Sequence, residues 1–220
     1  MESRSEDYLK TIYKLEQGTD TVIKTQSISE SLDISAASVS EMLKRLADKG
    51  YITHKPYKGV ILTDKGRQKG TYMVRRHRII ETFLLNVMQY SWEEVHAEAE
   101  QLEHAVSDNL ITKMEAMLGF PEYDPHGAPI PDAEGRLPTR AVHELLLASA
   151  EVGQAYHIVR VSDGDSDLLC YLNRIQCVLG AQVKVVEKHT FDQSLVVIVQ
   201  DATHTLSHVC TNHLWVVPVR

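Results

Sequence analysis

Apolar residues recur at helical spacing through the first half of the chain and alternate with polar ones beyond about Ala155. The pattern predicts a first helix from about Ser5 to Gln17, with Ser5 as its N-cap. A short helix over Thr25–Leu32 follows, then a turn at Asp33-Ile34-Ser35 and a third helix over Ala36–Lys49, stopped by Gly50. Two β-prone runs, Tyr51–His54 and Val60–Thr63, flank a basic Lys-Pro-Tyr-Lys-Gly turn. Three helices followed by a two-stranded ribbon with a basic tip is the order of a winged helix-turn-helix. A long helix is expected over Asp64–Gln89, a second from the cap Ser91 to about Ser107, and a third over Asp108–Leu118, ended by Gly119.

Between Phe120 and Pro138 stand five prolines, which makes this stretch a structured loop or linker and the natural boundary. Beyond it the runs YHIVRVSD, AQVKVVEKH, SLVVIVQD and HLWVVPVR alternate between turn signals, the pattern of a small antiparallel barrel. The expected fold is therefore mostly α with a small β domain, divided at residues 1–70, 71–138 and 139–220. No internal repeat is visible.

Composition narrows the class. A 220-residue chain that is 43% hydrophobic can bury a sizeable core. No apolar run approaches the roughly 18 residues needed to span a bilayer, and MESRSEDYLK lacks a signal-peptide core, so a cytoplasmic location without membrane contact is expected. Cys170, Cys177 and Cys210 show no CxxC spacing and read as small core hydrophobes. The net charge of −7 is unevenly spread, with a balance of +5 over residues 1–80 and −12 over the rest. A basic module joined to an acidic one suggests a polyanion partner for the first and cations for the second.

The polyanion is expected to be duplex DNA. In a helix-turn-helix the second helix of the pair enters the major groove with its N-terminal residues near base edges. That end reads SAASVSEMLKR. Ser35, Ser38 and Ser40 permit close approach, Ala37 offers a methyl to thymine, and Glu41 can accept from cytosine. Lys44, Arg45, Lys55 and Lys58 are expected on phosphates, where they set register rather than sequence. The blander alternative is that the serines only cap the helix and the lysines only keep it soluble.

The cation partner is suggested by VHAEAEQLEH, residues 95–104. Val95, Ala99, Leu102 and Val106 form one apolar stripe, with His96, Glu100, Glu103 and His104 on a second stripe beside it. From Ser91 to Asp108 there is no Lys or Arg to pair with these acids. On the preceding long helix, His77 and Glu81 share a face with Met73, Ile80, Leu84 and Met88. Ionisable groups at core positions need a partner. A self-satisfied His–Glu pair and a solvated acidic face are the plain readings; a divalent transition metal held by imidazoles and carboxylates is the sharper one.

Together, SEDYLKTIY, the winged-helix pattern, RRHRIIETFL and VHAEAEQLEHAVSD resemble the diphtheria-toxin-repressor family of iron- or manganese-dependent transcriptional regulators, over essentially the whole chain. The resemblance implies a DNA-binding domain, a helical metal-binding and dimerisation domain, and a C-terminal SH3-like (FeoA-like) barrel. It implies one metal site at Asp7, Glu100, Glu103 and His104 and another at His77, Glu81 and His96. In the manganese branch with an SH3-like domain, further ligands are implied at Asp124, His126 and Asp163. A glutamate at position 100, where iron-responsive members carry cysteine, favours Mn²⁺ over Fe²⁺, with two ions per subunit. Lys10 stands where small two-metal manganese regulators have a ligand glutamate, and a protonated lysine cannot coordinate.

The function so implied is a homodimeric repressor, with its interface around residues 91–118, that binds palindromic operators of metal-uptake genes when loaded. No small-molecule substrate is expected. Without a cation, Asp7, Glu100 and Glu103 are expected to repel one another and leave the DNA-reading heads misaligned. Alternatives are a regulator of an organic effector, a sequence-indifferent DNA binder, and a metal-dependent enzyme; for the last, the paired Glu-x-x-His motifs of a di-iron bundle and HExxH are both missing.

Overall fold

The computed structural model describes residues 2–16, 21–55, 58–139 and 143–219. Helix α1, Glu2–Glu16, turns Tyr8, Leu9, Ile12 and Tyr13 inward onto α2, Thr25–Leu32, and α3, Ala36–Asp48. It starts before the expected cap: Ser5 lies inside the helix and is buried, so it is not the N-cap. Gln17 lies outside the described residues. Val39, Leu43 and Leu46 bury one face of α3, while Ser35 caps its start by accepting from the Ser38 amide. Strands β1, Ile52–Lys55, and β2, Gly59–Leu62, form the antiparallel ribbon, with Ile23 bridging to Val60. Pro56 and Tyr57 of the expected basic turn lie outside the described residues.

Helix α4, Asp64–Asn86, runs from this first core into a second built from Ile79, Ile80, Leu84, Val95, Ala99, Ile111 and Ile130. Gly70 lets α1 lie against it: a Cβ there would sit 2.7 Å from the Leu9 carbonyl oxygen, a backbone atom that cannot swing aside. The helix stops short of Gln89, which takes a left-handed φ of 62°, and Met88 is exposed rather than part of the buried face. Helix α5 is also shorter than expected, spanning only Val95–Leu102. Ahead of it the Glu94 carboxylate accepts from the Ser91 amide and hydroxyl, while the Trp92 indole donates to the Pro125 carbonyl and packs on the C-terminal core. Behind it the Arg76 guanidinium donates to the Glu103 and Val106 carbonyls, satisfying groups that a longer helix would have bonded internally. Helix α6, Asp108–Met117, ends as the Gly119 signal foretold, with φ 73°.

The proline-rich stretch is packed rather than a free tether. Asp124, His126, Ala128 and Ile130 are buried, and the His126 carbonyl accepts from the Val161 amide at 2.9 Å. The C-terminal part contains β3 (Leu145–Leu146), β4 (Ala155–Val161), β5 (Gln182–Lys188), β6 (Leu195–Val199), β7 (Ala202–Leu206) and β8 (Leu214–Pro218). They form one antiparallel sheet in the order β3-β8-β4-β5-β6-β7, bent by bulges in β4 and β5. Helix α7, Ser166–Arg174, covers its core with Leu169 and Leu172 and leaves Cys170 exposed on the opposite face; only Cys177 and Cys210 are core residues. Among the described residues no helix is long and apolar enough to cross a membrane.

Candidate metal centre

Where α1, α4, α5 and the end of β4 meet, acidic and imidazole side chains gather into two neighbouring clusters. In the deeper one, single ligand atoms of His77, Glu81, His96 and Asp163 all lie within 4.8 Å of one another. His77 and Glu81 are fully buried one helical turn apart, with His77 Nε2 2.9 Å from Glu81 Oε1. The same oxygen is 2.9 Å from His96 Nδ1, and Asp163 Oδ2 lies 3.5 Å from that nitrogen. Burial opposes charge on His77, but the Glu81 carboxylate and hydrogen bonds to Glu103 and Glu81 outweigh it and push the imidazole up to about 9. Burial also disfavours the Glu81 carboxylate, yet His77 and His96 hold it well below its ordinary range. The second oxygen of Glu81 is buried with no hydrogen-bond partner.

The shallower cluster joins α1 to the end of α5. Asp7 Oδ1 is 2.7 Å from His104 Nε2, which is 3.5 Å from Glu103 Oε1. Glu6, unforeseen in the sequence, takes the other imidazole nitrogen at 2.8 Å and pairs with Lys69 at 2.7 Å. Despite partial burial, His104 is pushed up by Glu6 and Asp7.

Glu100 does not join Asp7 and His104 as expected. It groups with His77 and Glu103 instead, because the Lys10 ammonium bridges Glu100 Oε1 at 2.7 Å and Glu103 Oε1 at 2.6 Å. The acidic face has no cation of its own, and α1 supplies one. Unrelieved carboxylate repulsion is therefore not the condition of this centre: Lys10, 4% exposed, already offsets it. Glu103 is fully committed, since Oε2 lies 2.6 Å from His77 Nδ1, and it thereby connects the two clusters.

Asp124 and His126 sit beside the deeper cluster and not within it. Asp124 accepts from the His126 and Ala128 amides, and its other oxygen faces Arg78 at 3.3 Å without hydrogen-bond geometry. Burial, reinforced by the Glu81 charge, pushes its carboxyl up to about 6. His126 Nε2 lies 3.0 Å from the Trp92 carbonyl, which leaves Nδ1 buried and unpartnered. Buried carboxylate and imidazole atoms without partners are costly unless something binds them. With oxygen and nitrogen donors alone, the set fits a hard or borderline divalent ion.

The residues expected on DNA, Ser35, Ala37, Ser38, Ser40, Glu41, Lys44, Arg45, Lys55 and Lys58, are all exposed on α3 and the ribbon. Glu41 is paired with Arg45 one turn on. Lys24 and His54 share a recess near the tip of the ribbon with Lys55 and Lys58; their sequence signal was only isolated basic residues.

Comparisons with known proteins bear on the same residues. Residues 1–60 match the iron dependent repressor N-terminal DNA binding domain, 63–132 its metal binding and dimerisation domain, and 145–218 the FeoA domain. The iron-dependent repressor IdeR of Mycobacterium tuberculosis is 37% identical over 127 residues, which are 58% of this chain and 55% of IdeR; the match thus spans about half the length of that relative. The transcriptional regulator MntR of Geobacillus kaustophilus is 32% identical over 54% of this chain and 83% of its own. A solved manganese-dependent transcriptional repressor in complex with manganese is 38% identical, with a TM-score of 0.89 over 98% of this chain and 100% of that one. The chain belongs to the diphtheria-toxin-repressor family of iron- and manganese-dependent transcriptional repressors.

Proposed function

We propose that the protein is a manganese-dependent transcriptional repressor that binds palindromic operators as a homodimer and controls metal-uptake genes. The observation that carries this reading is the junction itself: α1 contributes Leu9 and Ile12 to the core beneath α3 and sets Asp7 beside Glu103 and His104. Asp7, Glu103 and His104 would hold one ion, joined by Glu100 once it leaves Lys10. His77, Glu81, His96 and Asp163 would hold the other, with Asp124 and His126 as adjacent donors. A bound dication supplies positive charge and coordination that fix carboxylates from separate helices in one geometry. Manganese is favoured over iron because no thiol stands among these donors.

The protein's own groups do the rest. Arg76 fixes the backbone on which Glu103 and His104 sit, so a change at the centre is passed to α1 rather than dissipated in a loop. Exposed Leu110 and Met117, two turns apart on α6, with Phe120 just beyond, offer an apolar face for a second copy. A two-fold dimer presents two α3 helices and so reads an inverted repeat.

The test is a titration of Mn²⁺, Fe²⁺ and Zn²⁺ against duplexes selected from a randomised pool. The expected result is saturable, Mn²⁺-favoured binding that Glu103→Ala abolishes while the fold persists. Lys55→Ala and Lys58→Ala should each lower the salt slope by about one. Undiminished operator binding after exhaustive chelation would end this reading.

A further inference from the structure

Asp7, Lys10 and Lys14 stand at i, i+3 and i+7 and so share one face of α1. That face presents a candidate ligand and two ammonium groups to the paired clusters. Lys10 is buried against Glu100 and Glu103, as described above. Lys14 Nζ lies 3.3 Å from Asp163 Oδ2, the same oxygen that faces His96. One helix of the DNA-binding module therefore holds a carboxylate of each cluster through its own lysines.

We propose that Lys10 and Lys14 are resident counter-cations of the two clusters, so that each takes up a divalent metal only in exchange for an ammonium–carboxylate contact made by α1. The inference rests on the metal reading above and deepens it.

An ammonium has three donors and no lone pair, so it cannot ligate, and on each carboxylate oxygen it engages it takes up a lone pair and neutralises charge that a metal would otherwise use. This applies to Glu103 Oε1 of the shallower cluster and to Oε1 of the adjoining Glu100, while His77 takes the remaining oxygen of Glu103. In the deeper cluster it applies to Asp163 Oδ2. A dication entering beside either ammonium meets like charge in a poorly solvated place, where screening is weak. The lysines thus oppose metal entry and set the concentration at which it occurs. They also give the metal-free protein a fixed, neutralised junction in place of mutually repelling carboxylates. Because the exchange loosens or remakes contacts of α1 itself, metal occupancy is reported to the helix that underlies α3 without any relay through the barrel.

The experiment compares metal-free full-length protein with Lys10→Met and Lys14→Met, which keep most of the apolar stem and remove the charge. Mn²⁺ binding is followed by calorimetry and by the electron paramagnetic resonance of the ion, and hydrogen exchange is measured over residues 2–16. The expected result is at least tenfold tighter Mn²⁺ binding in one step for Lys10→Met and in the other step for Lys14→Met. Faster exchange of α1 in the metal-free variants is also expected. Lys14 is partly exposed, so Lys14→Met keeps the question answerable should Lys10→Met fail to fold. Isotherms superimposable on that of the unchanged chain, or weakened in both variants, overturn the inference alone. An unchanged chain that takes up no Mn²⁺ overturns the metal reading, and the inference with it.

Discussion

The two clusters solve one electrostatic problem in different ways. In the deeper one, Glu81 is neutralised by imidazoles of its own and the following helix, and His77 is fully enclosed. In the shallower one, Glu103, together with the adjoining Glu100, is neutralised by a lysine brought from another helix, and Asp7 and His104 remain partly open to water. The difference is one of dependence. Three of the deeper cluster's four residues, His77, Glu81 and His96, are built into the packing of α4 and α5, with α1 touching Asp163 through Lys14, whereas the shallower cluster takes a member, Asp7, from α1 itself. A site whose completion and whose DNA-reading element are the same piece of chain is suited to regulation.

The largest effect that would separate the two is Glu81→Ala. Removing one member of a buried charged pair leaves the other uncompensated, at about 3–5 kcal/mol, whereas Asp7→Ala at its half-exposed position is expected to cost no more than about 1 kcal/mol. Denaturant unfolding of the metal-free proteins measures both, and equal losses would erase the distinction. The second effect is a pH dependence. His77 is raised from 6.5 to about 9, so its contribution to metal-free stability is fully present below pH 6.5 and lost as pH rises through 9. A melting temperature that falls across this window, and does not in His77→Gln, is expected. Mn²⁺ affinity should rise over the same window, because the imidazole must lose its proton to ligate. The smallest effect belongs to Glu6→Gln. Its pairs with His104 and Lys69 lie near the surface, so a stability change within about 1 kcal/mol is expected by thermal melting; a larger loss would make the shallower cluster as tightly built as the deeper.

Much of this was legible in the residues. The spacing of His77 with Glu81, and of His96 with Glu100, placed these side chains on the helices that bring them together, and Thr25–Leu32 was bounded correctly by its own pattern. Helix ends were less legible where distant groups set them: Arg76 closes α5, and Trp92 draws the preceding turn toward the barrel. Strand β7 was missed because ATHTL is short and has little apolar alternation. Helix α7 was missed although SDLLCYLNR is clearly amphipathic, because it is only nine residues long and lies among strand-like runs.

Periodicity and residue type by themselves determined the winged-helix order and the candidates His77, Glu81, His96, Glu100, Glu103 and His104, because these depend on local spacing. The family, and with it Asp7, Asp124, His126 and Asp163, came from the resemblance of short motifs. Only the tertiary structure decided how the acids are shared out. Lys10 and Glu100 are 90 positions apart, Lys14 and Asp163 149. An ion pair between such residues is decided by how helices and barrel pack, which no local pattern records.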